Sequence, residues 1–220
     1  MQVQLRPCEG CKDCEVAVDG CFVEPVSCFP SVVAPAVSLT GGKWYYEARV
    51  IKPGAFPQIG WADDAFTTSP GNGVGDDAHS WGVDGVRIQK WHNGGVTGEG
   101  GKYGLAWKVG DVVGLAADLD GRTIAFSLNG SWAAPMGVAF TDVAVQGGLR
   151  PALTLGCVRM NSPTRCSCAL WLHSHCRVRA HCDTSVGLKV SVNFGESAFS
   201  FSPPDAEYGQ MALPAAGARQ

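Results

Sequence analysis

The chain has 220 residues and a mass of 23.1 kDa, which suits one large all-β domain or two small domains. It carries 17 Lys and Arg residues against 20 Asp and Glu residues, and this balance argues against a nucleic-acid-binding protein, which would have a basic face. It has no apolar run near the roughly 20 residues that span a bilayer, and no apolar secretion segment at its amino terminus. We therefore expect an intracellular, cytoplasmic protein that binds neither nucleic acid nor membranes.

The ten cysteines fall into two groups, five within residues 8–28 and five within residues 157–182. A disulfide-built domain would spread its cysteines through the framework of its core, so we expect reduced thiols. In the first group, Cys8, Cys11 and Cys14 are spaced like half of a thiolate zinc site. Incidental packing is the alternative, because cysteine often behaves as a small hydrophobic residue. We favour that alternative and expect no metal ion and no cofactor.

Glycine pairs and alternating apolar residues predict the fold class. Six Asp-Gly or Asn-Gly pairs suit the positive φ angles of two-residue hairpin turns, and they lie at residues 19–20, 72–73, 84–85, 93–94, 120–121 and 129–130. An apolar residue at every second position, as in half-buried strands, occurs in residues 113–119, 124–128 and 190–194. Residues 44–50 are rich in side chains that favour strands. Together these features predict an all-β antiparallel sandwich of two sheets.

The seven tryptophans allow two interpretations. Each ring could stack on a ligand, as in carbohydrate-binding sandwiches, or could fill the space between the two sheets. We favour the second interpretation for the six rings outside the second cysteine group, because large aromatic side chains are mostly buried. The seven residues are Trp44, Trp61, Trp81, Trp91, Trp107, Trp132 and Trp171.

Ten segments occur in the order that is typical of one known family. They are residues 42–50 (GKWYYEARV), 58–62 (QIGWA), 75–85 (GDDAHSWGVDG), 90–94 (KWHNG), 110–114 (GDVVG), 118–120 (DLD), 126–130 (FSLNG), 137–140 (GVAF), 149–152 (LRPA) and 192–195 (VNFG). Together they resemble the SPRY domain family over roughly residues 15–205, with one interruption. The resemblance implies a bent, concanavalin-like sandwich without a catalytic centre, which recognises a protein or short peptide through loops at one end. It also implies, by family analogy, substrate recruitment in an assembly such as a ubiquitin ligase.

The resemblance and the composition divide the chain into segments. We expect residues 1–14 to form a cysteine-rich extension, residues 15–209 to form the SPRY domain, and residues 210–220 to form a disordered tail with little to bury. Residues 157–186 interrupt the domain and contain no Gly, no Lys and no Glu. We predict that removal of this block leaves a folded domain, which we expect to be monomeric.

Three interpretations of residues 157–186 stay open. Their cysteines and histidines could bind zinc, although the spacing lacks a paired Cys-x2-Cys pattern. Their arginines and Trp171 could extend a recognition surface, since Trp and Arg are favoured at interfaces. The block could also be a translated, unspliced segment that is absent from the mature protein. A structureless loop of this length is uncommon in a compact domain, which favours disorder or the unspliced segment.

The candidate partner-binding residues follow from the loop positions that line a peptide groove in some members of the family. By that resemblance they are Pro25, Val26, Ser27, Pro70, Gly71, Asn72, Gly73, Gly156 and Trp171. The loops of this chain lack the clear Arg and Tyr contacts of the family. No known peptide specificity is therefore transferred to it.

A carbohydrate-binding sandwich is the alternative function, whereas an enzyme is disfavoured. A glycosidase needs two carboxylates at a fixed short separation, but Glu47 stands alone on its predicted strand. A Ser–His or Cys–His nucleophile is equally unsupported, because His79 and His92 lie in scaffold segments. We interpret Asp76, Asp77 and Ser80 as caps of loop turns rather than as a functional polar cluster. No catalytic residue is therefore predicted.

Overall fold

The computed structural model of the chain describes residues 3–8, 14–16, 22–25, 30–68, 72–94, 101–156 and 187–211. For residues 14–16 and 22–25 only the backbone is considered. The predictions for the block 157–186 lie outside the described residues.

The described residues form strands and no helix, so the predicted all-β class is confirmed. The strands are β1 (Arg6–Pro7), β2 (Cys14–Val16), β3 (Phe22–Pro25), β4 (Ser31–Val33), β5 (Lys43–Lys52), β6 (Phe56–Ala62), β7 (Ser80–Asp84), β8 (Gln89–Trp91), β9 (Gly101–Lys102), β10 (Val112–Asp118), β11 (Thr123–Leu128), β12 (Gly137–Phe140), β13 (Arg150–Gly156), β14 (Lys189–Asn193) and β15 (Gly209–Gln210). The first sheet has the order β1-β4-β13-β6-β7-β8-β9, and the second has the order β12-β11-β10-β5-β14-β3-β2. β15 pairs with β5 in parallel, whereas the other pairings are antiparallel.

The core lies between the two sheets and takes up alternate residues of the strands. In the β10–β11 hairpin, Leu115 lies opposite Phe126, and both side chains are buried. In β14, Val190 and Val192 are buried, as is Phe194 just beyond the strand. The predicted apolar positions face the core, because successive side chains of a strand point to opposite faces of the sheet. The β10–β11 hairpin is not half-buried as predicted, since Ala116 and Ala125 on the other face are buried in a second apolar cluster.

Of the five predicted turn pairs within the described residues, two have the expected positive φ angles, whereas those at residues 72–73, 84–85 and 120–121 do not. The turns at residues 93–94 and 129–130 have positive φ angles at both positions, 51° and 90° in the first and 51° and 78° in the second, as two-residue hairpin turns require. In the turn between β10 and β11, Arg122 has a φ angle of 54°. The amide of Gly121 there donates a 2.6 Å hydrogen bond to Asp118 Oδ1, so the left-handed residue comes one position after the predicted pair.

The described amino-terminal residues belong to the sandwich, although the sequence suggests that residues 1–14 form an extension. Val3 and Leu5 are buried in the core, and β1 pairs with β4 at the edge of the first sheet. Cys14 begins β2 in the second sheet. The physical reason is the burial of two apolar side chains, which stabilises this segment against the sandwich.

The carboxy-terminal segment is attached to the second sheet by a buried carboxylate. Glu47 in β5 is 3% exposed, and its carboxylate accepts hydrogen bonds of 2.8 Å from the amides of Ser200 and Phe201. Farther along, Gln210 in β15 pairs with β5, and Met211 packs against the core. Residues 210 and 211 therefore belong to the fold rather than to the predicted tail.

The connections between strands gather at two opposite ends of the sandwich. The upper end comprises the connections after β5, β7, β9 and β11, at residues 53–55, 85–88, 103–111 and 129–136. The lower end comprises the connections at residues 63–68, 119–122 and 141–149. β13 finishes and β14 begins at the upper end, because both pair with strands whose direction is fixed by these connections.

Candidate functional site

The described members of the predicted binding set lie at the upper end or lead towards it. Pro25 finishes β3 and Gly156 finishes β13, and both strands run towards the upper end. Gly156 is buried and pairs in register with Phe56 at the start of β6. Five further predicted residues lie outside the described residues, and they are Val26, Ser27, Pro70, Gly71 and Trp171.

Asn72 and Gly73 belong to a loop that packs on the first sheet. Asn72 is exposed, whereas the amide of Gly73 donates a 2.7 Å hydrogen bond to Asp76 Oδ2. Asp76 Oδ1 accepts a 3.1 Å hydrogen bond from Gln58 Nε2 of β6, and burial raises the pKa of this carboxyl group. The next amide along the loop donates to Thr154 Oγ1 of β13 over 2.8 Å. These bonds fix the predicted residues against β6 and β13.

The acidic segment before β7 serves the backbone of its own loop. Asp77 Oδ1 accepts hydrogen bonds from the amide of His79 at 3.0 Å and from Ser80 Oγ at 2.6 Å. Ser80 Oγ in turn accepts a 2.7 Å hydrogen bond from the amide of Gly75. The prediction that these side chains cap turns is confirmed, because their oxygens accept hydrogen bonds from groups of the same loop.

An arginine stacked on two aromatic rings lies at the upper end and was not recognised from the sequence. The guanidinium group of Arg87 lies 4.0 Å from the centroid of the Trp91 ring and 5.4 Å from that of Phe56. Its Nε donates to the carboxylate of Asp84, which also accepts two amides of the same turn. Burial raises the pKa of Asp84, and the charge of Arg87 opposes that effect. Phe56 is also the register partner of Gly156, so Arg87 and Gly156 share this residue as a neighbour.

The connection between β9 and β10 joins this turn to the end of β5. The amide of Trp107 donates to the carbonyl of Gly85 over 3.1 Å, and the amide of Gly110 donates to the carbonyl of Val50 over 2.8 Å. The 85–88 turn, the 103–111 connection and the end of β5 therefore form one continuous surface. Four of the five exposed large apolar side chains in the described part of the chain lie on this surface, and they are Val86, Ile88, Leu105 and Val109.

The sequence contains only a weak sign of this surface. Val86 and Ile88 follow an Asp-Gly turn directly, where polar residues are usual. The same apolar residues would suit the start of a buried strand, so the apolar pattern of the sequence does not distinguish exposed positions from core positions here. The exposure of Val109, 71%, depends on how the connections pack together.

The six tryptophans within the described residues are engaged in packing, as predicted for most of them. The four buried rings are those of Trp61, Trp81, Trp91 and Trp107. Trp44 and Trp132 are partly buried against the apolar clusters of the two faces of the second sheet. The buried rings cannot serve as stacking platforms for a sugar, and this weakens the carbohydrate-binding alternative.

Neither metal ligation nor membrane insertion is indicated by the described residues. Within them, no group of three or more His, Cys, Asp or Glu side chains is arranged to hold a metal ion. Cys8 is the one cysteine whose side chain is described, so the prediction of reduced thiols falls mainly on residues outside that part of the chain. The same part contains no helix that is long and apolar enough to cross a membrane.

Three comparisons with known proteins agree with this architecture. A model of the SPRY domain family matches residues 43–166. The E3 ubiquitin-protein ligase RKP of Arabidopsis thaliana is 34% identical over 148 residues, which cover 66% of this chain and only 11% of that protein. The crystal structure of the SPRY domain of human HERC1 superposes with a TM-score of 0.57 at 16% identity, covering 85% of this chain and 96% of that one.

These findings have different weights. The similarity to the human domain concerns the fold alone, because its sequence identity is low. The family match covers more than half of the chain and includes β5 to β13, which build most of both sheets. On this basis the chain belongs to the SPRY domain family.

Proposed function

We propose that this domain is a non-enzymatic protein-binding module that contacts a partner protein or peptide through its upper end. The observation that carries the proposal is the continuous upper surface, on which Val86, Leu105 and Val109 are exposed while their connections are held by main-chain hydrogen bonds. Exposed apolar side chains that cluster in this way are typical of protein-interaction sites. Loops on a rigid scaffold commonly carry binding functions.

The predicted residues fit the same proposal. Pro25 and Gly156 finish strands at the upper end, and the loop of Asn72 and Gly73 is fixed against β13. We assign them to one side of the binding surface, with the 85–88 turn and the 103–111 connection on the other side. Gly156 contributes backbone shape rather than a side chain, because it is buried against Phe56.

We further propose that the domain recruits substrates to a ubiquitin ligase. The support is the similarity to RKP, which is a ubiquitin ligase, and the fact that this chain spans only 11% of the length of that relative. In such a protein the transfer chemistry would lie elsewhere, and this domain would supply recognition. An intracellular location and a monomeric domain are part of the proposal, since they follow from the cysteine pattern and the family.

A photo-crosslinking experiment tests the binding role. A photoreactive amino acid is placed at Val109 on the upper end or, as a matched control, at Gln146, which is exposed at the lower end. We expect a discrete crosslinked partner from position 109 and none from position 146. Equal capture from both positions, or none from either, would contradict a binding surface at the upper end.

The recruiting role needs a separate measurement. Ubiquitin attachment to the crosslinked partner should fall when the domain is deleted from the longer protein that contains it. Unchanged ubiquitin attachment would contradict the recruiting role while leaving the binding role intact.

A further inference from the structure

Besides Arg87, which is paired with Asp84, the upper end carries further basic side chains. Arg49, Lys52 and Lys108 form no ion pair within the described residues. Among the described side chains of this end, Asp84 is paired with Arg87, and Asp111 accepts hydrogen bonds from the neutral Lys108 amide and from Asn129 Nδ2, so one carboxylate faces three cations that lack an ion pair. The upper end therefore presents uncompensated positive charge to solvent.

The lower end has the opposite character. Lys43 lies among three carboxylates, at 3.9 Å from Asp118, 3.2 Å from Asp205 and 2.6 Å from Glu207. Arg150 is likewise paired with Asp64, and further carboxylates at this end belong to Asp63, Asp120 and Asp142. The net charge of −3 for the whole chain thus conceals a separation of charge along the strands.

The uncompensated cations adjoin the exposed apolar side chains. Arg49 Nη1 donates a 3.2 Å hydrogen bond to the carbonyl of Gly110, which follows Val109 directly. Lys108 precedes Val109 in the same connection, and Lys52 finishes β5 beside it. Positive charge and aliphatic surface are therefore parts of one area, not of two separate ones.

We infer that the partner segment bound at the upper end is an acidic peptide with aliphatic side chains, an inference that rests on the proposed function. Carboxylates of the peptide face Lys52 and Lys108, and its apolar residues contact Leu105 and Val109. Complementary charge of this kind speeds association and selects the partner. The acidic lower end repels the same peptide, so the field of the whole domain directs it to the upper end.

A nucleic acid fits this surface less well, although it is also an anion. Single-stranded nucleic acids bind on exposed aromatic rings, whereas the exposed large apolar residues here are aliphatic and Trp91 and Trp107 are buried. A duplex would need a long basic stripe, and the acidic lower end interrupts one.

The test begins with an unbiased selection of short random peptides on the full chain, followed by titration of the resynthesised peptides. We expect enrichment of peptides rich in Asp, Glu and aliphatic residues. The variant K52Q/K108Q should bind them about tenfold more weakly, which corresponds to two exposed ion pairs. The matched control T141E/A144E changes the net charge by the same amount at exposed positions of the lower end, and it should change affinity less than about twofold. Raising the salt concentration should weaken binding to the wild type.

The outcomes separate the inference from the proposed function. Enriched peptides that are neutral or basic, with affinity unchanged in K52Q/K108Q, would overturn the acidic partner and leave the binding module standing. An absence of any enrichment would overturn both. A single-stranded RNA that binds more tightly than the selected peptides would also overturn the inference. Lys52 and Lys108 make no side-chain contact in the described residues that folding requires, and circular dichroism of the variant verifies that it folds.

Discussion

The two ends of the sandwich use their charged residues differently. At the lower end, the carboxylates of Asp63 and Asp64 and the ammonium group of Lys43 are taken up by backbone amides or by opposite charges. Hydrogen bonds to Glu207 and Asp205 raise the pKa of Lys43 above its ordinary value. At the upper end, Lys52 and Lys108 have no such partners among the described residues. The charged groups of the lower end thus stabilise the fold itself, whereas the upper end exposes charged and apolar side chains to solvent.

The largest expected effect comes from Gly85→Ala. A Cβ atom at this position would lie 2.1 Å from the Trp107 side chain, which is buried, so the 85–88 turn and the 103–111 connection must separate. We expect the free energy of unfolding in urea to fall by about 3 kcal/mol, as for an overpacked core. The matched control is Gly101→Ala, whose Cβ atom would meet nothing within 4 Å. Equal stability of the two variants would contradict the close packing of the upper end.

The lower end should respond next most strongly, to Asp63→Ala. The side chain of Asp63 is 0% exposed, and it accepts hydrogen bonds of 2.9 Å from the amides of Ala65 and Gln146. Removal leaves two amides unpaired and should cost about 2 kcal/mol of stability, with faster hydrogen exchange at both amides. Asp142→Asn, at an exposed carboxylate without a described hydrogen bond, should change stability little. If that control destabilised the domain as much, the internal role of Asp63 would be refuted.

Removal of residues 157–186 should have a smaller effect. Gly156 pairs with Phe56, and Gly54 lies against the backbone of Leu188. The residues that flank the block therefore both lie next to the short connection at residues 53–55. A Gly-Ser linker of about eight residues in place of the block should keep the fold and change stability by about 1 kcal/mol, the scale of a loop-length change. Circular dichroism and urea unfolding measure both quantities, and a variant recovered only as aggregate would contradict the prediction.

The smallest expected effect is a dependence on pH at Asp84. Burial raises the pKa of this carboxyl above 3.8, so the folded domain takes up a proton there at a higher pH than the unfolded chain does. Its contribution to stability is therefore greatest at low pH and is lost as the pH rises through the raised pKa. In Asp84→Asn, which keeps an acceptor for the turn amides, this part of the pH dependence should disappear. Urea unfolding from acidic to neutral pH tests it, and parallel curves for variant and wild type would contradict it.

Part of the proposed binding surface could be predicted from the sequence, and part could not. The family motifs located the loop of Asn72 and Gly73 and the end of β13 at Gly156, because those loops have fixed places relative to the strands. They gave no reason to single out Arg87 or Val109. Arg87 matters through its contact with Phe56, thirty-one positions earlier in the numbering, and a contact of that kind depends on strand order rather than on local pattern.

The boundaries of the domain show the same limit. Residues 1–14 were set apart because the family motifs begin later and because cysteines cluster there. Val3 and Leu5 nevertheless enter the core, since β4 offers β1 an edge at which to pair. An apolar residue in a short unpatterned segment gives no indication of the partner that will bury it.

The sequence by itself determined the all-β class, the hairpins and the family, because these depend on alternation, turn residues and ordered motifs that lie close together along the chain. Only the tertiary structure decided that Lys52, Leu105 and Lys108 share one surface while the surplus carboxylates gather at the other end. The net charge of −3 sums over the chain and carries no information on position. Because neighbouring strands are antiparallel, successive connections lie at opposite ends of the sandwich. Which charged residues meet at one end is therefore decided only once the sheets have formed.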